Sequence, residues 1–347
     1  MKRRSLLIGS ILTSLGLANK IYDSQINTEE EKQSKNKHYD PPWKVKVNNF
    51  NLNHIEHRKN ELYIHHINVG QADATFIKTP NGKNILIDSG HAIDNGVFVL
   101  DYLKSYSINH LDYFILTHPH WDHIGGTKRI IETYEQKLNG ISKILETKQK
   151  NETYTYKEYR DILNKYPRKV EKIDENVELD WDTNIKVTIL NPTEKLDKEL
   201  TINNKSIALH IEHNNNSIIL PSDIEKETEN RIIKKYGSKI ESDIYRIAHH
   251  GDRRSNSDPF LNQINPEYAI ISSPHDSRWK HPHKEVLNKL SKREIKTYWT
   301  AIHGSIVTVS DGEKWNIYPQ LNKTTKPKKL REKQKVSVYP ASGVSKD

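Results

Sequence analysis

Apolar residues come along this chain in short dense blocks separated by polar turns. Leu62 to Val69, Ala74 to Ile77 and Asn84 to Ile87 read as three successive strands. Asn81-Gly82, between the second and third, is a hairpin signal, because a tight turn needs positive φ and Gly accepts it. Asn95 to Ser105 has helical spacing. Leu111 to Leu116 is too continuously apolar for an edge and predicts a buried strand, with a helix over Gly125 to Lys137. Residues 139–200 alternate short strands with a polar, Tyr-rich helix. Ser206 to His213 and Ser217 to Leu220 flank Asn214-Asn215-Asn216 as another hairpin, and Glu225 to Lys235 follows as a helix. Asp243 to Ala248, Tyr268 to Ser272 and Lys296 to Thr300 predict strands with helices between them. Ser305 to Tyr318 predicts a last hairpin about Asp311-Gly312. Strands in two separated groups, with helices among them, point to an α/β fold in which two sheets pack face to face under helical covers.

The two ends break this pattern. Lys2-Arg3-Arg4 precedes a short apolar run from Ser5 to Leu17, and Gly16-Leu17-Ala18 offers the small residues that a signal peptidase inspects. Residues 1–18 therefore read as a signal peptide, or alternatively an N-terminal anchor, in contact with the export machinery or the membrane. Residues 19–59 read as a polar linker and lead-in, 60–321 as the folded domain, and 322–347 as a basic tail too poor in apolar residues to pack.

Composition narrows the chemistry. The net charge is +9, but residues 1–20 carry four basic and no acidic residues, and residues 322–347 carry eight basic and two acidic ones. The stretch between them has a net charge of −1, so the folded part has no evident basic face for nucleic acid. The tail alone could hold a polyanion by salt-sensitive contacts. With no cysteine, disulfides, thiolate metal sites and a cysteine nucleophile are all excluded.

The sharpest signal is Thr117-His118-Pro119-His120-Trp121-Asp122-His123-Ile124-Gly125-Gly126, between the buried strand and the helix. His118, His120, Asp122 and His123 put four ligand-type side chains on one strand-to-helix turn. Imidazole and carboxylate suit zinc, manganese or iron better than calcium or magnesium. His118 and His120 alternate, so extended backbone points them the same way. Gly125-Gly126 lets the helix start close against the loop.

This segment resembles the HxHxDH signature of the metallo-β-lactamase superfamily. More of the chain, about residues 61–318, is similar to the branch found at the C-terminus of ComEC-type competence proteins. The matching stretches are His66-Ile67-Asn68-Val69-Gly70-Gln71-Ala72-Asp73-Ala74, Leu86-Ile87-Asp88-Ser89-Gly90, Leu220-Pro221-Ser222-Asp223, Ala248-His249-His250-Gly251-Asp252 and His281-Pro282-His283. The resemblance implies an αββα four-layer sandwich, two mixed sheets flanked by helices. It implies two divalent transition-metal ions, zinc first and manganese as the alternative. His118 and His120 would hold one ion, Asp122 and His123 the other, and Asp223 would bridge them. His281 would complete the second site. Strand alternation would let only one of His249 and His250 be a direct ligand, with His250 favoured and its neighbour contacting substrate or donating a proton. Asp88 would sit behind the metals and orient a ligand. His210, His213, His283 and His303 read as surface or supporting residues. Two positions depart from the family pattern: Ser222 replaces a usual Gly and Asp252 a usual Ser.

The implied function is a secreted dinuclear metal-dependent hydrolase, a phosphodiesterase or nuclease using a metal-bridging hydroxide, with Asp122, His249 and His250 in catalysis. Arg253, Arg254 and Lys280 beside the late histidines favour a phosphoester substrate, DNA or RNA among the candidates. The alternatives are a small-phosphoester hydrolase of phosphorylcholine-esterase type, a lactone or β-lactam hydrolase, and a non-enzymatic, wall-associated metal-binding protein.

Overall fold

The computed structural model describes residues 55–193 and 200–321. The expected leader, most of the linker and the basic tail lie outside the described residues. In chain order the strands of the first half are β1 (Leu62–His66), β2 (Thr75–Lys78), β3 (Asn84–Ile87), β4 (Leu111–Leu116), β5 (Ile141–Glu146), β6 (Val170–Lys172) and β7 (Ile185–Asn191). Those of the second half are β8 (Ala208–His213), β9 (Asn216–Leu220), β10 (Ile244–Arg246), β11 (Tyr268–Ile271), β12 (Lys296–Trp299), β13 (Ile306–Ser310) and β14 (Trp315–Pro319). They form an eight-stranded sheet in the order β14-β13-β1-β2-β3-β4-β5-β6 and a six-stranded sheet in the order β12-β11-β10-β9-β8-β7. Both sheets are mixed. β3 to β6 run parallel, as do β9 to β12, while the remaining neighbours are antiparallel.

Period-two alternation builds the layers. Ile64, Ile77, Ile85 and Ile115 of the first sheet meet Leu209, Ile211, Ile218, Ile244 and Ile270 of the second around the buried Trp181. Side chains one residue out of phase face outward. Phe76, Leu86 and Phe114 pack under α1 (Val97–Ser105), and they share that core with α3 (Thr127–Lys137) and α4 (Tyr154–Leu163), which follow the short α2 (Trp121–Ile124). On the other side Ile219, Tyr245 and Ile271 pack under α5 (Lys226–Tyr236), α6 (Asp258–Ile264) and α7 (Lys284–Lys292). The result is the four-layer αββα sandwich expected from the resemblance. Among the described residues no helix is long and apolar enough to cross a membrane.

Three sequence expectations need correction. The helix expected over Gly125 to Lys137 starts at Thr127 as α3, and the glycine pair joins it to the short α2, which the sequence pattern did not show. The strand expected to continue to Ala248 ends at Arg246, and Ala248–Gly251 is a single tight turn with His249 and His250 at φ 52° and 55°. His213, expected on a hairpin surface, is buried because it lies on the face of β8 that looks into the sheet interface, and its Nδ1 lies 2.9 Å from the Ser310 hydroxyl of β13; His210, expected there too, is buried on the opposite face, in phase with Ala208.

The parallel strands deliver the site. Asp88 follows β3, Thr117 to His120 follow β4, Ser222 and Asp223 follow β9, and Ser272 follows β11. Carboxyl ends of parallel strands are where α/β sheets collect their functional loops. The glycine joint lets these loops close up. A Cβ on Gly125 would strike the Ala92 backbone, and one on Gly126 the Ser89 carbonyl. Gly125→Ala should therefore destabilise the fold by about 3 kcal/mol, the upper range for overpacking. Denaturant unfolding of the full chain would show it, and an unchanged midpoint would mean that the close approach carries no energetic weight.

Candidate metal centre

The residues of the His-rich segment fall into two groups. The Nε2 of His118 lies 2.9 Å from the Nδ1 of His120. Oδ2 of Asp223 stands 3.7 Å from that same His118 nitrogen and 3.4 Å from the Nε2 of His123. In turn His250 Nε2 lies 3.3 Å from Oδ2 of Asp122. His118, His120 and Asp223 thus offer three ligand atoms within 4.8 Å of one another, and Asp122, His123 and His250 offer three more. Asp223 faces both groups.

Neighbours set which ring nitrogen each group presents. Asp88 accepts from the Thr117 amide and hydroxyl, both at 2.8 Å, and from Nδ1 of His123 at 2.7 Å. This pins the proton of His123 to Nδ1 and turns Nε2 toward Asp223. His250 Nδ1 donates to the Ser272 carbonyl at 2.9 Å, which turns its Nε2 toward Asp122. Ser222 has φ 53°, a backbone geometry that favours Gly, and its hydroxyl donates to Thr117 Oγ1 at 2.8 Å.

The charges are interlocked. Burial opposes ionisation of Asp122 and Asp223, yet His123 and His250 hold Asp122 well below the usual carboxylate range, and His249 and His123 do the same for Asp223. Burial also opposes protonation of His250, but Asp73, Asp122 and Asp223 push it up to about 9. For His123, burial is likewise overcome by the carboxylates of Asp223, Asp88 and Asp122, and its value rises. By contrast, burial and the neighbouring His123 and His120 rings push His118 down. His249 falls to about 4 through burial, with Asp223 opposing.

Do these residues fit a cation? Two buried atoms, Nε2 of His123 and Oδ1 of Asp223, have no hydrogen-bond partner. An unsatisfied buried polar atom costs about 1–3 kcal/mol, more for a charged one. Both atoms belong to the two groups just described, and a divalent ion accepts lone pairs from both. The donor set fits.

The remaining expected residues lie around this centre. His249 keeps Nε2 3.7 Å from Asp223 Oδ2, and its Nδ1 is 3.7 Å from Glu225 Oε1. Since the backbone there is a left-handed turn rather than a strand, both His249 and His250 face inward. His281 is in neither trio. It joins a third group with Asp252 and His283, holding Asp252 at 3.1 Å through Nε2 and meeting Gln71 Nε2 at 3.3 Å through Nδ1. Arg254 is engaged by Asp252 and Glu225, while Arg253 and Lys280 are exposed at the rim. His303 is buried away from the cluster, with its Nδ1 3.0 Å from the Trp299 amide. Sequence reasoning gave no role to Asp73 and Arg246. Arg246 binds Asp73 at 2.5 Å and Thr75 at 3.0 Å, and Asp73 lies 3.5 Å from His250 Nδ1. A buried arginine in the otherwise apolar run Ile244 to Ile247 was the available signal.

Comparisons with known proteins identify the family. A family model described as "Metallo-beta-lactamase superfamily" matches residues 67–275. ComE operon protein 3 of Bacillus subtilis is 28% identical over 256 residues, which cover 69% of this chain and 32% of that protein. Recombination protein 2 of Haemophilus influenzae is 29% identical over 245 residues, covering 69% of this chain and 28% of that one. The chain spans about a third of the length of these curated relatives. Among solved structures, the metallo-beta-lactamase fold protein YhfI from Bacillus subtilis is 12% identical with a TM-score of 0.42, covering 67% of this chain and 94% of that one.

Asp88→Asn tests the support of His123. The amide keeps the shape but loses the charge and one acceptor, so divalent-metal retention should weaken by about 10–100-fold, the usual range for such supporting residues. Competition with a chelator measures this, and wild-type retention would show that Asp88 does not orient His123.

Proposed function

From the premise that this chain belongs to the metallo-beta-lactamase superfamily, we propose that it is a dinuclear metal-dependent hydrolase acting on phosphodiesters. The observation that carries the reading is Asp223 Oδ2, within 3.7 Å of imidazoles from both groups. His118, His120 and Asp223 would hold one ion, and Asp122, His123 and His250 the other. Four imidazoles with two carboxylates suit zinc first and manganese second. Such a pair supplies activated water at neutral pH and Lewis acidity for the charge developing on the substrate.

The chain's own residues do the rest. Asp88 and the Ser272 carbonyl hold two imidazoles in the tautomer that frees Nε2. His249 is neutral near pH 7, so its ring N–H offers a hydrogen bond, rather than a full proton, to the leaving oxygen. Arg253 and Lys280 at the rim supply cations for a phosphate. His281, tied to Asp252 and Gln71, shapes the wall beside His249 and His250. The phosphodiester preference draws on those rim cations and on the relatives, which include a recombination protein. Export is proposed on the leader-like first 18 residues alone.

The test is hydrolysis of bis-(p-nitrophenyl) phosphate by the zinc- or manganese-loaded protein. Asp122→Ala and Asp223→Asn should each lower kcat by about 1,000-fold or more with circular dichroism unchanged, since each removes a charge at the reaction centre. Wild-type turnover in either variant would remove that residue from the centre. Failure of the loaded wild type on this substrate, with turnover of a lactone or β-lactam instead, would overturn the phosphodiester reading.

A further inference from the structure

The rim of the site carries a run of flat groups that the hydrolytic reading does not use. Trp121, between His120 and Asp122, meets the His91 ring edge-on with centroids 4.1 Å apart. It stacks with Trp279 at 5.7 Å, the planes 28° apart. The Arg278 guanidinium lies 4.0 Å from the centre of the Trp279 ring. The run has a buried end at His91 and an exposed one: Trp279 is 39% exposed, and Arg278 and Lys280 are exposed beside it. Trp279 is the only tryptophan among the exposed large apolar side chains of the described residues. The segment that bears it is tied to the site, because Ser277 donates to Gln71 at 2.6 Å and Gln71 contacts His281 at 3.3 Å.

The chemistry of the run selects its ligand. Indole and guanidinium planes both stack on nucleobases, whose faces are flat and uncharged. Arg278 covers the Trp279 ring and repels a quaternary ammonium, whereas its guanidinium plane, like the indole edge beside it, is a surface on which a base stacks. Arg278 and Lys280 also favour a polyanion at the same rim. We propose that Trp279 and Arg278, backed by Trp121 and His91, form a stacking subsite for one base of a single-stranded nucleic acid, next to the phosphodiester being cleaved. The proposal deepens the phosphodiesterase reading and rests on it. Bases in a duplex face inward, so the subsite discriminates in favour of single strands.

Binding is read on the full chain by fluorescence anisotropy in the presence of chelator, so that nothing is cleaved. The probes are a labelled thymidine 10-mer and an abasic 10-mer of equal charge. The wild type should prefer the base-bearing strand roughly tenfold, within the range for one stacked base. Trp279→Ala should reduce that preference to about twofold or less, and Trp279→Phe should keep an intermediate value. Equal binding of the two strands by the wild type overturns the subsite, as does a preference that survives Trp279→Ala. Displacement by phosphorylcholine but not by thymidine monophosphate also overturns it, in favour of a cation-binding box. The hydrolytic reading fails separately. A Trp279-dependent base preference in a protein that leaves bis-(p-nitrophenyl) phosphate intact supports the subsite and removes the phosphodiesterase. Hydrolysis of that ester without the base preference removes the subsite alone.

Discussion

One carboxylate, Asp223, is the constraint around which the rest of the centre is arranged. It is 1% exposed, at the end of β9, and faces imidazoles carried by the loops after β4 and β10. A buried anion is tolerated only with matched positive charge or a metal. The loops of both sheets must therefore converge on it from opposite sides of the sandwich. The apolar layer between the sheets, centred on Trp181 and the isoleucines of β1 to β4 and β8 to β11, sets the distance at which those loops meet.

That convergence is bought with local backbone strain. Asp88, Ser222, His249 and His250 all have φ between 52° and 59°, a region unfavourable for side chains with a Cβ. Each is held by a specific partner: Asp88 by Thr117 and His123, Ser222 by Thr117, His249 through its amide by the Ser222 carbonyl, and His250 by Ser272 and Asp122. Thr117 links the first two and so joins β3, β4 and β9 in one network. Behind His250, the buried pair Arg246 and Asp73 spans the two sheets, because Arg246 lies on β10 and Asp73 precedes β2. The supporting residues are therefore distributed over the whole sandwich, which makes the centre a property of the fold and not of the His-rich segment alone.

Much of this was legible in the sequence. Period-two runs such as Ile85 to Ile87 and Ile218 to Leu220 marked strands because each places alternate residues in different cores. The family resemblance carried the layer order, which the two mixed sheets display. Less legible was backbone geometry at the loops. Ala248 to Gly251 continues an apolar run, and nothing in its composition marks the left-handed turn that aims His249 and His250 to one side. The third cluster was also hidden. His281 looks like one more ligand in a linear motif, and its partnership with Asp252 and Gln71 depends on residues 29 and 210 positions away. Burial of His213 depends on β13 arriving from the other sheet, which the hairpin pattern around Asn214 cannot report. The stacked rim of Trp121 and Trp279 joins residues from two distant loops and has no periodic trace.

The central claim is that Asp223 is shared by two ions. Electron paramagnetic resonance of the manganese-loaded protein addresses it most directly, because two ions joined through one carboxylate are magnetically coupled. The expected result is the coupled multiline spectrum of a manganese pair, collapsing to isolated-ion signals in Asp223→Ala. Signals of isolated manganese alone in the fully loaded wild type would contradict it.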